Sequence, residues 1–305
     1  MSIILHVEPK TVPLTKEKFI ETSPVNSIAL DGYVYGGPWF DLNGPRANFN
    51  HHEDVCRLAT RATCGQVLMA VRQGLFSTFI PVGKNKLHIF VNDCDEDVCL
   101  SVFLIKHGIL AKNVSNPILN KLVFIEDAQD TTCGAYPFPP DEKITWIFEP
   151  YRQFRLLGGL DRKDASEYES IITDVDNRIM QYVLGEAGSV EINTSFETLG
   201  GGSGWLLIKE IGTLAKTGVF LEGHKAYVSV RQRLNGNYTY SIGKMAFWNL
   251  DLIKLFQKLN QLEGIVDNLD KWGGGDNAGG SPRVNGSKLT PDIIQNTINS
   301  MLVKA

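Results

Sequence analysis

Residues 87–107 read LHIFVNDCDEDVCLSVFLIKH. Leu87–Val91 is a short apolar run, which predicts a strand. Asn92-Asp93-Cys94-Asp95-Glu96-Asp97 breaks the run, and Val98–His107 resumes it at helical length. A strand that ends in acids and passes into a helix is the repeating unit of parallel α/β sheets. The carboxyl edge of such a sheet is where ligands bind. Three carboxylates at alternate positions repel one another unless a cation lies among them. Hard oxygen donors of this kind suit magnesium or manganese. A solvated acidic turn has the same composition, so the reading depends on what the rest of the chain supplies.

Further apolar runs at Lys121–Ile125 and Lys143–Phe148 predict two more strands. Residues 55–74 have apolar positions at helical spacing and end at Gly74. Residues 1–160 therefore read as an α/β layer, a mainly parallel sheet flanked by helices. Residues 149–165 look like a break, with Gly158-Gly159 followed by charge. Asp164–Gly185 reads as a helix within a connector spanning 161–188. The pattern then changes. Val190–Phe196, Trp205–Ile211, Gly218–Leu221, Ala226–Arg231 and Tyr238–Ile242 are strand-like, with turn signals at Gly200–Gly202 and Asn235-Gly236. Helices are expected at Asn249–Leu262 and Pro291–Leu302, so residues 189–305 read as a smaller α+β domain. A length of 305 residues also fits two domains.

Composition narrows the function. The chain has 30 basic and 34 acidic residues, for a net charge of −4. Bulk positive charge is thus excluded as a way of holding a long polyanion, and duplex DNA is not an expected partner. No stretch approaches the ~20 apolar residues of a membrane span, and the N-terminal apolar run is too short for a signal peptide. Five cysteines without zinc-type spacing read as reduced thiols, so a cytoplasmic location is expected. Glycine is unevenly placed: five of the 29 lie between Gly273 and Gly280.

Several other stretches could carry chemistry. Asn48–Asp54 holds His51-His52, where a loop would let one imidazole bind metal while the other faces a phosphate. Imidazole among the donors favours manganese, zinc or iron over magnesium. Asp127 or Asp130 follows the run 121–125, and Asp31 or Asp41 lies in LDGYVYGGPWFD. Residues 272–283, WGGGDNAGGSPR, form a glycine-rich loop whose amides at Gly274 and Gly275 could cradle an anion. Arg283 stands ready to clamp it, with Asp276 inside the loop. Arg231 and Lys244 are further cations on or near strands of the same region. His6 and His88 lie in or beside apolar runs and read as structural, and His107 as a helix-end partner.

Together these pieces resemble the DHH phosphoesterase superfamily, over roughly residues 30–135 and 190–290. Asp93, Asp95 and Asp97 are similar to the strand-end DxDxD motif of RecJ-like members. His51-His52 is similar to the histidine pair of the DHH motif, and Ala59–Leu68 to the helix that follows it. The order strand, Arg231, helix and glycine loop resembles the family's associated C-terminal domain. Three departures are plain in the sequence. The His-His element precedes the DxDxD element, Asn50 stands where the family has Asp, and Asp276 stands where its loop has His.

The resemblance implies a two-metal phosphoesterase. Two manganese ions, with magnesium or cobalt as substitutes, would be held by His51, Asp93, Asp95 and Asp127, with Asp31 or Asp41 as a bridge. His52 would be the catalytic contact to the phosphate. Asp97, Arg231, Lys244, Gly274, Gly275, Asp276 and Arg283 would face the substrate. The implied substrate is a small nucleotide or short oligonucleotide, away from membranes, and a homodimer is compatible with this. The competing reading is a degenerate member that binds a nucleotide without turning it over.

Overall fold

The computed structural model describes residues 2–79, 86–266 and 268–302. The general α/β class holds: helices surround two sheets, each with its own core.

The first sheet contains β1 (Ser2–Val7), β2 (Ser27–Leu30), β3 (Trp39–Asp41), β4 (Arg46–Phe49) and β5 (Lys86–Val91), in the spatial order β1-β5-β2-β4-β3. The first four in that order run parallel, and β3 lies antiparallel to β4 at the edge. Side chains alternate across the sheet, as strand geometry requires. Ile28, Leu30, Ile89 and Val91 enter the main core, whereas Ala29 and Phe90 face a smaller cluster around Phe19 and Tyr33.

Among the described residues, eight helices of this region follow in chain order. They are α1 (Lys16–Thr22), α2 (Thr63–Arg72), α3 (Leu75–Phe79), α4 (Glu96–Lys106), α5 (Gly108–Lys112), α6 (Pro117–Thr131), α7 (Glu142–Leu156) and α8 (Ala165–Leu184). Helix α4 packs against α2, α5, α6 and α8 and is buried from Asp97 to Ile105. That enclosure explains its uninterrupted apolar run, because a helix covered on all sides needs no polar face.

Several sequence expectations are corrected. Lys121–Ile125 and Lys143–Phe148 are not strands but lie within α6 and α7. Their helix starts are chemically marked. Asn116 caps the Leu119 amide with Pro117 at the first turn, and Asp141 caps Lys143 and Ile144. The expected break at 149–165 begins later, since α7 continues through Pro150 to Leu156. Proline has no N–H for the carbonyl one turn back. Arg178 of α8 fills that gap, donating to the Trp146 carbonyl at 2.5 Å. The expected helix 55–74 is a short 3-10 turn at Arg57–Ala59 followed by α2. Helix α8 gives Tyr168, Ile172, Val175 and Ile179 to the first core, so the connector region is also a packing element.

The second sheet contains β6 (Phe196–Gly202), β7 (Trp205–Glu210), β8 (Ala226–Gln232), β9 (Tyr238–Lys244), β10 (Gly273–Gly274) and β11 (Ala278–Gly280), in the order β10-β11-β9-β8-β7-β6. Only the β7–β8 pair among these is parallel. It is bridged by α9 (Ala215–Leu221), so the expected strand Gly218–Leu221 is instead the crossover helix that a parallel pair needs. Residues 190–195 precede β6 without strand pairing. Helices α10 (Leu252–Glu263) and α11 (Pro291–Leu302) cover one face over Trp205, Val228 and Ile242. The other face carries α9 and meets Cys133 and Ala135 of the first region.

Candidate metal centre in the cleft

Strands β5, β2 and β4 are neighbours, and their carboxyl ends deliver the polar residues to one place. Asp31 follows Leu30, His51 and His52 follow β4, and Asp93–Asp97 follow β5. This is the sheet edge at which α/β folds bind ligands. Asp130 joins from α6. The His51 Nε2 atom lies 3.6 Å from Asp31 Oδ1, 3.6 Å from Asp97 Oδ2 and 2.7 Å from Asp130 Oδ2. His52 Nε2 lies 2.8 Å from Asp31 Oδ1. Asp31, His51 and His52 thus form one compact donor group, and His51, Asp97 and Asp130 form a second.

His51 is fully buried, yet neither ring nitrogen has a hydrogen-bond partner. Asp130 Oδ2 is buried and unpartnered as well: it is close to the imidazole but outside its bonding directions. Buried polar atoms are almost always paired, so three such atoms in one spot ask for a ligand.

The electrostatics agree. Burial, reinforced by Arg57, pushes His51 below the usual imidazole range and leaves it neutral. Burial acts on His52 in the same direction, but Asp31 outweighs it and raises His52. Asp31 is held well below the carboxylate range, because His52, His51 and the Thr63 hydroxyl overcome its burial. Burial and the neighbouring acids push Asp95 and Asp97 well upward; Asp31 and Asp130 act on both. Carboxylates split in this way are the mark of charges crowded without a counter-ion.

The remaining sequence candidates are placed as follows. Asp93 accepts from the Cys94 amide and forms a tight ion pair with Lys10, and it is not among the groups that converge on His51. Asp95 caps α4 through Oδ1, at 2.9 Å from the Val98 amide. Asp97 receives the Thr63 and Cys64 amides at the start of α2, at 2.7 and 2.6 Å. Asp127 accepts from the Ala62 amide at 2.6 Å and from Arg61. Asp127 is thus occupied at the start of α2, and Asp130, one helical turn further on, is the α6 acid that reaches His51. Asp41 lies on edge strand β3, where it accepts from the Asn43 and Gly44 amides. It is not among the groups that converge on His51. Asn50 donates to the Val34 and Gly36 carbonyls and to Glu53, while its Oδ1 accepts from the His52 amide. It anchors the loop that carries both histidines.

The glycine-rich loop docks onto this site. Asp276 accepts from the Arg57 amide at 3.2 Å, and Asn277 donates to the Thr131 carbonyl. A β-carbon on Gly275 would come within 2.7 Å of Arg57 and 3.2 Å of the His52 carbonyl, so close approach requires glycine there. Gly274 pairs with Gly279 in the β10–β11 ribbon. Arg283 donates to Asn92 at 3.0 Å. It also converges with His52: a β-carbon on Gly32, whose φ is +81°, would lie 3.4 Å from the imidazole and 3.7 Å from the guanidinium. Arg231 is paired with Asp161 at 2.6 Å. Lys244 is turned away into the carbonyls of Met245, Ala246 and Trp248.

A cleft of 1230 Å³ runs between the sheets. His52, Asp95, Asp97 and Asp130 line it on one side, and Arg231, Gly274, Gly275, Asp276 and Arg283 on the other. The sequence reading had overlooked Lys10, Arg57 and Lys216, which also line it. Arg57 is almost fully buried and donates to the Asp130 carbonyl at 2.6 Å, a role that no local sequence pattern marks.

No family model and no curated protein matches the chain. No helix among the described residues is long and apolar enough to cross a membrane. The donor set fits a divalent cation. Neutral imidazole with three or four carboxylates is a mixed N/O set of a kind that binds divalent cations.

Proposed function

We propose that the chain is a divalent-cation-dependent phosphoesterase acting on a nucleotide or short oligonucleotide in the cleft between its sheets. The observation that carries this reading is His51, a buried neutral imidazole with two unpartnered nitrogens, whose Nε2 faces Asp31, Asp97 and Asp130. His51, Asp31, Asp97 and Asp130 would hold the metal, with the free oxygen of Asp95 at the edge of the set. The His51 lone pair serves one ion, so a second manganese ion would be held by the carboxylates of the set, Asp31 among them. When bound, such ions supply Lewis acidity toward a phosphoryl oxygen and a water molecule.

The chain's own residues account for the rest. Asp31 keeps His52 protonated, so His52 donates to a phosphoryl oxygen and stabilises charge that develops there. Arg283, beside His52, clamps a second oxygen of the same group. The docked glycine loop narrows the mouth over His52 and limits access to a small substrate. The acidic net charge also favours a short substrate over long nucleic acid. The five free thiols fit a reducing, cytoplasmic setting.

Calorimetric titration with manganese and a hydrolysis screen of small phosphodiesters test this. Manganese is expected to bind and to be required for turnover, and Asp130→Ala to weaken both. A chain that binds no divalent cation would sink the reading. Metal and nucleotide binding without turnover would favour the non-catalytic alternative.

A further inference from the structure

A second polar wall lies in the same cleft, built where α7 meets α9 and the second sheet. Arg155 donates to both oxygens of Glu210, at 2.9 and 2.7 Å, and Ser229 also donates to Glu210. Arg152 pairs with Glu96 at 2.5 Å, while its buried Nη1 has no acceptor. Lys216 has no carboxylate of its own. Its Nζ donates to Ser241 Oγ at 3.0 Å, and the nearest acid oxygen, Glu210 Oε1, is 3.9 Å away and already accepts from Arg155 and Ser229. A quarter of the Lys216 side chain remains open, and the residue lines the cleft together with Ser241, Arg152 and Arg155.

Glu96, Glu126 and Glu149 surround Arg152 and Glu210 is taken by Arg155, so Lys216 is the cation of this wall without a carboxylate in direct contact. A cation that is desolvated and underpaired is costly unless an anion joins it. Lys216 bears the sign of that cost: burial, despite Glu210, pulls its ammonium down to about 8.

We propose that Lys216 and Ser241 form an anion subsite for a phosphate group, separate from the His51 cluster. An ammonium with rotatable donors beside a hydroxyl suits a tetrahedral oxyanion, as a point-charge lysine does. If the phosphoesterase reading holds, the natural occupant is a second phosphate of the substrate or a free phosphate. The subsite rests on that reading only for this identification.

Inorganic phosphate is the probe, titrated into the chelator-treated full chain at neutral pH. Binding is expected in the wild type, about ten- to a hundred-fold weaker in Lys216→Gln, and unchanged in His51→Ala. Ser241→Ala, a milder change, is expected to weaken binding by a smaller factor and guards against misfolding of the lysine variant. Wild-type affinity in both variants, or no phosphate binding in the wild type, overturns the subsite. A parallel manganese titration decides the metal reading separately, since the two can fail independently. With turnover in hand, Lys216→Gln raises KM for a bisphosphorylated nucleotide alone if the occupant belongs to the substrate. It changes activity on mono- and bisphosphorylated nucleotides alike if the occupant is free phosphate, and either result keeps the subsite.

Discussion

Two buried charged groups face the same cleft and differ in one respect. At Arg155–Glu210 both acid oxygens are bonded: the guanidinium is bidentate and Ser229 adds a third bond. Burial would raise Glu210, but Arg155 and Lys216 outweigh it and hold the acid at about 2. At His51 the pairing is incomplete, with two imidazole nitrogens and an Asp130 oxygen left over. Asp31 and Asp130 are pushed down there, while Asp95 and Asp97 are pushed up. The first arrangement is closed and needs nothing from outside. The second is open, and on the proposed reading a metal ion would complete it. Charge count alone does not separate structure from site; unsatisfied donor atoms do.

If the Arg155–Glu210 group is structural, Glu210→Ala should have the largest effect on the fold. Removing one member of a buried pair leaves an uncompensated charge and costs about 3–5 kcal/mol. Urea unfolding measures it, and the double variant Arg155→Met/Glu210→Leu should recover much of the loss. A Glu210→Ala chain as stable as the wild type would mean that the pair is not closed in the sense described. The open group should respond differently. His51→Ala removes the shared donor and should weaken manganese by at least about 100-fold, more than the loss expected for a supporting residue. Stability without metal should change little or rise, because the variant also removes unpaired buried nitrogens. Calorimetry and unfolding on the same preparation separate these outcomes.

Asn50 sits between the two cases, a closed residue that holds the open one. Its amide donates to two carbonyls and Glu53, bonds that a carboxylate could not make. Asn50→Asp should therefore cost about 1–3 kcal/mol in urea unfolding. A neutral or stabilising result would show that the loop tolerates a carboxylate and that the asparagine has no positioning role.

The polar residues of the open group were largely visible in the sequence, because they follow strands directly. Asp31, His51, His52 and Asp97 come from the strand-end pattern, and β4 and β5 put them side by side. What escaped reading came from helices. Lys121–Ile125 and Lys143–Phe148 are apolar and β-branched over five or six residues, a length at which strand and buried helix look alike. The capping residues Asn116 and Asp141 carried the missing information. Once 117–131 is a helix, Asp127 and Asp130 lie on one face a turn apart and reach different partners. Asp127 turns to the start of α2, and Asp130 to His51. Arg57, Lys10 and Lys216 could not be found at all, since each acts through a contact distant in sequence.

The smallest expected effect concerns pH, and its sign follows from the split carboxylates. Asp95 and Asp97 are raised, mainly by burial and then by the neighbouring acids, so without metal they retain protons above the ordinary carboxylate range of about 4. A cation must displace those protons to bind. His51 is shifted the other way and stays neutral below the ordinary imidazole value, so it does not set the limit. Manganese affinity should therefore rise with pH through the window in which Asp95 and Asp97 ionise, by up to about tenfold per pH unit for each proton displaced. It should level off above that window. Calorimetry at several pH values, in buffers of different ionisation enthalpy, counts the protons released. An affinity that stays flat across the window, with no proton release, would mean that the acids are already ionised. The open group would then be balanced by charges within the chain, as the closed one is.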